Sequence, residues 1–183
     1  ISNKVLKMLP PALIHLLVSI LNALLVGCSF PDVWKEAAVI GIRKPGKPGA
    51  EPTSYRPISL ISSLGKIYER ILLRRLKDVI KEKNLFIDEQ FAFRTGHSCP
   101  QQVHRLTEYV LKGLNRKRQT TTCAVFFDVA KAFDKIWHNG LIYKLYELDL
   151  PDRLVLTIKN YLSNRQFRYR VEGTLSTMRT LRA

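Results

Sequence analysis

The sequence predicts an α+β fold that is mostly helical and carries a small antiparallel sheet. Several segments repeat apolar residues at the three-to-four spacing of a helix. One run, "TTCAVFFD" at 121–128, is rich in β-branched and aromatic residues and is typical of a buried strand. Another segment, 166–171, alternates aromatic residues and Val171 with polar residues, as a strand of a hairpin does.

The first half of the chain is predicted to be helix, strand and helix. A Pro-Pro pair at 10–11 opens a helix that runs to Gly27, a residue type that stops helices. A turn then leads into a strand at about 37–42. Residues 43–57 are dense in Pro and Gly and are predicted to form a loop, and a long helix begins near Ser63.

The second half is predicted to contain the central strand and three helices. Ser98 caps the first of these helices. The apolar run then forms a strand at 122–128, and two shorter helices follow at 139–148 and 151–162. The final alternating segment turns back at Glu172-Gly173.

The charge balance indicates a polyanionic partner. Thirty Lys and Arg against fifteen Asp and Glu give a net charge of +15 and a pI near 10.0. Nucleic acid is the simplest such partner, because neutralising its phosphates releases bound counterions. The alternative is a basic piece of a larger protein whose acidic parts lie elsewhere, and charge by itself leaves both open.

Cysteine usage indicates a reducing compartment. The three cysteines are odd in number and show no C-x-x-C spacing: Cys28, Cys99 and Cys123. This argues against a disulfide scaffold or a zinc cluster. We expect a nuclear or cytoplasmic protein.

An apolar stretch at 9–28 is predicted to be a buried or amphipathic helix. It has the composition of a membrane span or signal peptide, but three polar residues interrupt it. His15, Ser19 and Asn22 are spaced four and three apart and therefore line one helix face. We expect no membrane association.

Asp128 ends the apolar run and has two interpretations. An aspartate at this position caps turns and helix starts. A carboxylate held at the end of a rigid strand also supplies the hard oxygen ligand that Mg²⁺ prefers. The residue pattern alone leaves both open.

Two groups of cations are candidates for phosphate binding. The Pro/Gly-rich loop carries the first group and the final alternating segment carries the second. They are Arg43, Lys44, Lys47 and Arg56, and Arg168 with Arg170. Lysines offer point charges and arginines a bidentate fork, both suited to phosphate. Solvated surface positions would look the same in sequence.

Four segments occur in a recognisable order. They are "FPDVWKEAAVIGIRKPGKP", "SYRPISLISSLGKIYERIL", "EQFAFRTGHSCPQQVHRL" and "VFFDVAKAFDKIWHNGLIYKL". Together they closely resemble the reverse transcriptase of non-LTR retrotransposons, with jockey-like elements the nearest in style. The resemblance covers nearly the whole chain.

The resemblance implies a right-hand polymerase fold. Residues 1–36 would be an N-terminal helical extension, 37–120 the fingers, and 121–183 a partial palm. The first palm strand would be 122–128. It would lack a sheet neighbour and expose apolar surface, from which we expect poor solubility or association.

The resemblance also implies residue roles. Asp128 matches the first metal-binding catalytic carboxylate, and the Val129 carbonyl would help to hold the second of two Mg²⁺ ions. Phe133 matches the bulky residue that excludes a ribose 2′-hydroxyl.

Lys44 and Arg56 fall where the fingers hold the incoming triphosphate, with Lys47 a competitor for the lysine role. The residues near the template would be Gln90, Phe91, Arg94 and Gly96. Apart from the resemblance, strand alternation places Arg168 and Arg170 on one face, where they are candidates to follow a phosphate backbone.

The sequence departs from the family at the second carboxylate pair. It has no Tyr-x-Asp-Asp and no Asp-Asp dipeptide, and the Pro-Gln-Gly block is absent. We therefore expect a fragment of an RNA-directed DNA polymerase that is inactive by itself, with RNA template, DNA primer and dNTP as partners. The alternative is a non-catalytic nucleic-acid-binding remnant of a retroelement. The oligomeric state is open.

Overall fold

The computed structural model describes residues 1–116, 120–130 and 132–181, and about half of the chain is helical. The helices of these ranges are α1 Asn3–Lys7, α2 Pro11–Val26, α3 Ser63–Glu82, α4 Cys99–Leu114, α5 His138–Glu147 and α6 Asp152–Leu162. The strands are β1 Glu36–Arg43, β2 Tyr55–Leu60, β3 Gln166–Val171, β4 Thr174–Leu175 and β5 Arg179–Thr180.

The chain forms two compact units. The first comprises Ile1–Val79 and Phe133–Ala183, and the second comprises Ile80–Ala132. All five strands lie in the first unit, and α4 lies in the second. The division into extension, fingers and palm is a functional one and stays a prediction.

The predicted small sheet is present in the first unit, but it is mixed and not antiparallel throughout. Its strand order is β2-β1-β3-β4, and β5 also pairs with β3. β1 runs antiparallel to β2 but parallel to β3, with Ala38 opposite Arg168. Parallel neighbours need a long crossover connection, and more than a hundred residues separate these two strands. Side-chain alternation along one strand carries no information about the direction of the next.

The predicted loop at 43–57 includes the first three residues of β2, which is the edge strand instead. Its Pro57 pairs with Gly41 of β1. A proline has no N–H to donate to a ladder, and an edge strand tolerates this because its outer side has no partner strand. The strong turn signal of the preceding residues concealed a strand of six residues.

An aromatic cluster forms the centre of the first unit. Phe30 contacts Trp34, Tyr68 and Tyr161, with ring centroids 6.0, 5.4 and 5.0 Å apart. The Tyr68 hydroxyl donates a hydrogen bond of 3.1 Å to the carbonyl of Ser29. Burial raises the pKa of Tyr68, and burial followed by the nearby Glu69 carboxylate raises the pKa of Tyr161 to about 12. Both tyrosines are therefore neutral at physiological pH.

The remaining helix and turn predictions for the first unit are confirmed. α2 follows the prolines as expected, and α5 and α6 start within one residue of their predicted positions. The hairpin turn lies at Glu172-Gly173, where φ is +49° and +85°. Within the part of the chain that the structure describes, no helix is long and apolar enough to cross a membrane.

The second unit contains α4 and the segment 120–130. Ser98 caps α4, and the Gln101 side chain accepts a hydrogen bond of 2.7 Å from the Ser98 amide, which completes a capping box. The predicted strand at 122–128 is absent, since residues 120–129 have no regular structure. No described strand pairs with them, and an unpaired strand is not stable in water.

Candidate functional site

The loop between β1 and β2 is fixed by hydrogen bonds at its base. The Arg43 guanidinium donates to the Lys47 carbonyl through Nε at 3.0 Å and Nη2 at 2.8 Å. The Lys44 amide donates to the Ser54 carbonyl at 2.8 Å, and Tyr55 donates its hydroxyl hydrogen to Gly49 at 3.0 Å. A Pro/Gly-rich segment thus acquires a defined shape.

Lys44 and Lys47 differ in how they are held within this loop. Lys44 is half-buried as a residue, and its ammonium donates to the Thr53 carbonyl at 2.8 Å. A carbonyl is a neutral acceptor, so no described residue compensates the positive charge of Lys44. The Lys47 ammonium is exposed and has no partner among the residues that the structure describes. The loop therefore presents one positioned lysine and one free lysine.

Arg56, Arg168 and Arg170 share one face of the sheet. Arg56 lies opposite Ile42 of β1, and Arg168 lies opposite Ala38. Because side chains alternate along a strand, residues an even number apart point to the same side. Alternation along β3 predicted that Arg168 and Arg170 would lie together. The pairing of β1 with both neighbours adds Arg56 to the same face.

The three arginines are not equally free. Arg168 Nη2 lies 3.4 Å from Oε2 of Glu36, a cross-strand ion pair between partly exposed side chains. Exposed pairs of this kind contribute about 0–1 kcal/mol, so Arg168 remains available to a stronger anion. Arg56 and Arg170 are exposed and have no acidic partner within the described ranges.

The segment around Asp128 is exposed throughout. Asp128 and Val129 lie in the irregular part of the second unit, and no described residue forms an ion pair or side-chain hydrogen bond with Asp128. Phe133 is also exposed, lies second in a single 3-10 turn, Ala132–Lys135, and belongs to the first unit. Asp128 and Phe133 thus belong to different units, and their meeting in one site stays a prediction.

The loop between α3 and α4 is organised around the Ile87 carbonyl. Arg94 Nη1 donates to this carbonyl at 3.1 Å and the Gln90 amide donates to it at the same distance. The Arg94 guanidinium also lies over the Phe86 ring, 5.7 Å from its centroid. Gly96 has φ of +76°, a conformation that L side chains rarely adopt.

Phe91 brings two further residues into this loop. Its ring meets His97 edge-on at 4.9 Å, and Arg105 of α4 lies over it at 5.0 Å. Arg105 also donates to the Asp88 carbonyl at 3.1 Å. The sequence interpretation missed Arg105, although its position seven residues after the Ser98 cap places it two turns into α4. The four residues predicted to lie near a template therefore form one ordered loop, joined to α4 through Arg105.

Comparison with known proteins decides the family. A sequence model of the family described as reverse transcriptase (RNA-dependent DNA polymerase) matches residues 42–182. The chain belongs to the reverse transcriptase family.

Curated relatives agree over the full length of the chain. It is 45% identical over 183 residues to a probable RNA-directed DNA polymerase from transposon BS of Drosophila melanogaster. It is 39% identical over 186 residues to the RNA-directed DNA polymerase from mobile element jockey of the same organism. Each alignment covers 100% of this reverse transcriptase chain and 20% of the relative. The chain therefore spans about a fifth of the length of these relatives.

Reverse transcriptases generally use divalent metal ions, and Asp128 is compatible with one ligand of such a centre. Its carboxylate is exposed and has no ion-pair partner among the described residues, and carboxylate oxygen is the donor that hard cations prefer. Within residues 1–116, 120–130 and 132–181, no three His, Cys, Asp or Glu side chains are grouped as a metal site. Asp128 is thus a candidate ligand among the described residues, and a complete centre needs further donors.

Proposed function

We propose that this chain is the part of an RNA-directed DNA polymerase that binds the incoming deoxynucleotide and the primer–template. Family membership supports the class of reaction. The observation that carries the proposal is a set of positioned cations without acidic partners among the described residues. Lys44 is held by the β1–β2 loop, and Arg56 shares a sheet face with Arg170. Such groups bind phosphate through charge-assisted hydrogen bonds.

The incoming nucleotide is bound by its triphosphate and selected by its sugar. Lys44 and Arg56 neutralise the triphosphate, and the free ammonium of Lys47 competes with Lys44 for this role. Phe133 excludes a ribose 2′-hydroxyl by its bulk. Its exposed ring at the start of a short turn is accessible to a ligand.

The reaction proposed for the whole polymerase is in-line attack of the primer 3′-hydroxyl on the α-phosphate of the nucleotide. The new phosphorus–oxygen bond forms as the bond to the departing pyrophosphate breaks. Asp128 and the Val129 carbonyl would hold Mg²⁺, and two such ions supply charge neutralisation at the reacting oxygens when bound. The remaining ligands come from elsewhere in a longer protein. This chain contributes orientation and binding of the nucleotide.

The primer–template is bound by two surfaces. The ordered loop with Gln90, Phe91, Arg94 and Gly96 lies against the RNA template. Arg168 and Arg170 follow a phosphate backbone along the exposed sheet face. Such a polymerase acts in the nucleus or cytoplasm, where RNA template and DNA primer are available.

A nucleotide-dependent binding assay tests this function. Fluorescence anisotropy would measure binding of an RNA template annealed to a labelled DNA primer, with Mg²⁺, in the presence and absence of the next complementary dNTP. We expect the dNTP to strengthen the complex. Lys44→Ala and Arg56→Ala should each weaken this nucleotide effect about tenfold or more, the equivalent of one hydrogen bond to a charged group.

Lys112→Ala is the matched control, because it removes one exposed helical lysine and the same net charge. It should leave the nucleotide effect within about twofold, as surface changes usually do. Equal losses in all three variants would show that net charge alone holds the ligand. Primer–template binding that the dNTP never strengthens would favour the non-catalytic nucleic-acid-binding alternative.

A further inference from the structure

Helix α3 has two chemically different faces. Gly65, Tyr68 and Leu72 are buried and form the face toward the core of the first unit. The opposite face carries four exposed cations, which we name the α3 basic stripe: Lys66, Arg70, Arg74 and Lys77. At 3.6 residues per turn their spacing of four, four and three keeps them within an arc of about 80°.

The stripe has no acidic partner among the described residues. Elsewhere the structure pairs exposed or buried cations with carboxylates, as in Lys35 with Asp32 at 3.0 Å. The acidic residues of α3 next to the stripe lie near other groups. Burial and then the nearby Glu69 carboxylate raise the pKa of Tyr161 to about 12, while Asp78 lines a cleft on another side of the helix with Arg75. No acidic side chain in the described part of the chain therefore compensates the positive charge of the stripe.

A cleft runs beside the stripe in the first unit. It has a volume of about 520 Å³, within the range of cavities that hold small ligands. Three stripe residues, Lys66, Arg70 and Arg74, line it. The other lining residues belong to α1 and α3 and are Asn3, Ser63, Ile67 and Ile71. Asn3 and Ser63 offer neutral hydrogen-bonding groups, and the two isoleucines are half-buried apolar surface. The cleft thus places polar and apolar groups next to a row of cations.

The arrangement fits a chain of regularly spaced anions. Residues four apart on a helix rise about 6 Å, close to the separation of consecutive phosphates in an extended nucleic-acid strand. The four cations together extend about 16 Å along the axis. Sugars and bases of such a strand contact apolar surface such as Ile67 and Ile71, whereas phosphates contact cations.

We propose that the α3 basic stripe binds the sugar–phosphate backbone of a single RNA strand. This surface lies on a different element from Lys44, Arg56, Arg168 and Arg170, and it gives the chain a further contact with RNA. The choice of RNA as the strand rests on the proposed function, whereas the stripe itself rests on the geometry of α3.

The test compares two triple variants of the same net charge. The stripe variant is Lys66→Gln, Arg70→Gln and Arg74→Gln. The control is Lys112→Gln, Lys144→Gln and Lys159→Gln, which changes exposed helical lysines outside the stripe. Anisotropy of a labelled, unstructured oligouridine would be measured from low to physiological salt.

We expect the stripe variant to bind oligouridine at least tenfold more weakly than the unchanged chain. The slope of log affinity against log salt should become less negative by about 2, because each lost contact to a single-stranded phosphate removes about 0.7 from its magnitude. The control should keep the slope. A slope that is unchanged in the stripe variant, or equal losses in both variants, would overturn the proposal. Competition by polyglutamate as strong as by RNA would also overturn it, since it would indicate an acidic protein partner.

Two further measurements separate this proposal from the proposed function. Thermal unfolding measures whether both triple variants are folded. If the stripe variant is unfolded, Arg70→Gln alone replaces it, and we expect a smaller loss of oligouridine affinity and a smaller change of the salt slope. The dNTP effect on primer–template binding should persist in the stripe variant. If the stripe variant binds oligouridine as tightly as the unchanged chain while Lys44→Ala still weakens the dNTP effect, only the stripe proposal fails. If the stripe binds RNA but Lys44→Ala and Arg56→Ala are without effect, only the proposed function fails.

Discussion

Two apolar segments of this chain have similar compositions but different structures. Residues 36–43, "EAAVIGIR", form β1 at the centre of the sheet, with Val39 only 6% exposed. Residues 121–128, "TTCAVFFD", form no strand, and their Val125 is 70% exposed. Both segments have the composition of a buried strand.

The difference lies in the neighbours and not in the segments. β1 pairs with β2 on one side and β3 on the other, so its backbone groups are satisfied while Ala37 and Val39 are buried. Within the described residues no strand pairs with 121–128. Phe126 and Phe127 are consequently 84% and 92% exposed. Strand propensity measures how well a side chain fits a packed sheet, and it does not stabilise a segment that has no neighbouring strand.

The largest expected effect comes from the same substitution in both segments. Val39→Asp should lower the free energy of unfolding by about 3–5 kcal/mol, the cost of an uncompensated buried charge. Val125→Asp should change it by less than about 0.5 kcal/mol, as at an exposed site. Urea unfolding followed by circular dichroism measures both. Similar losses at the two positions would show that 121–128 is packed as tightly as β1.

A smaller effect is expected where the chain enters β1. The buried Phe30 amide donates a hydrogen bond of 2.9 Å to Oδ1 of Asn160, which links α6 to the aromatic cluster before the strand. Asn160→Ala should destabilise the protein by about 1–3 kcal/mol, because the donor is left unsatisfied.

The control for this hydrogen bond is Asn139→Ala, an exposed asparagine of α5. It should change the free energy of unfolding by less than about 0.5 kcal/mol. If urea unfolding showed an equally small change for Asn160→Ala, the stability of the aromatic cluster would not depend on this hydrogen bond.

The smallest effect on stability is expected from the exposed phenylalanines. The double variant Phe126→Ser, Phe127→Ser should leave the free energy of unfolding within about 0.5 kcal/mol. It should reduce both the binding of a hydrophobic fluorescent dye and the association of the chain, because exposed apolar patches drive both. Dye fluorescence and light scattering measure these quantities. A large loss of stability would mean that the two rings are buried in solution.

Features set by neighbouring residues were predictable from the sequence. The capping box of Ser98 with Gln101, the apolar period of α3 and the turn at Glu172-Gly173 each depend on residues within a few positions of one another. The cations of the candidate site were likewise visible as residue types in a Pro/Gly-rich loop. The order of four segments was enough to indicate the family that the comparisons show.

Features set by distant partners needed the tertiary structure. Arg56 joins Arg168 and Arg170 on one sheet face only because β1 pairs with both β2 and β3. The 36–43 segment became a strand and the 121–128 segment did not for the same reason. The sequence by itself determined α2 to α6, the Ser98 cap, the hairpin turn and the family, since the structural features depend on local periodicity and local hydrogen bonds and the family on the order of four segments. The tertiary structure alone decided strand direction, strand partners and which cations share a face, because a strand satisfies its backbone groups only through residues far away in the chain.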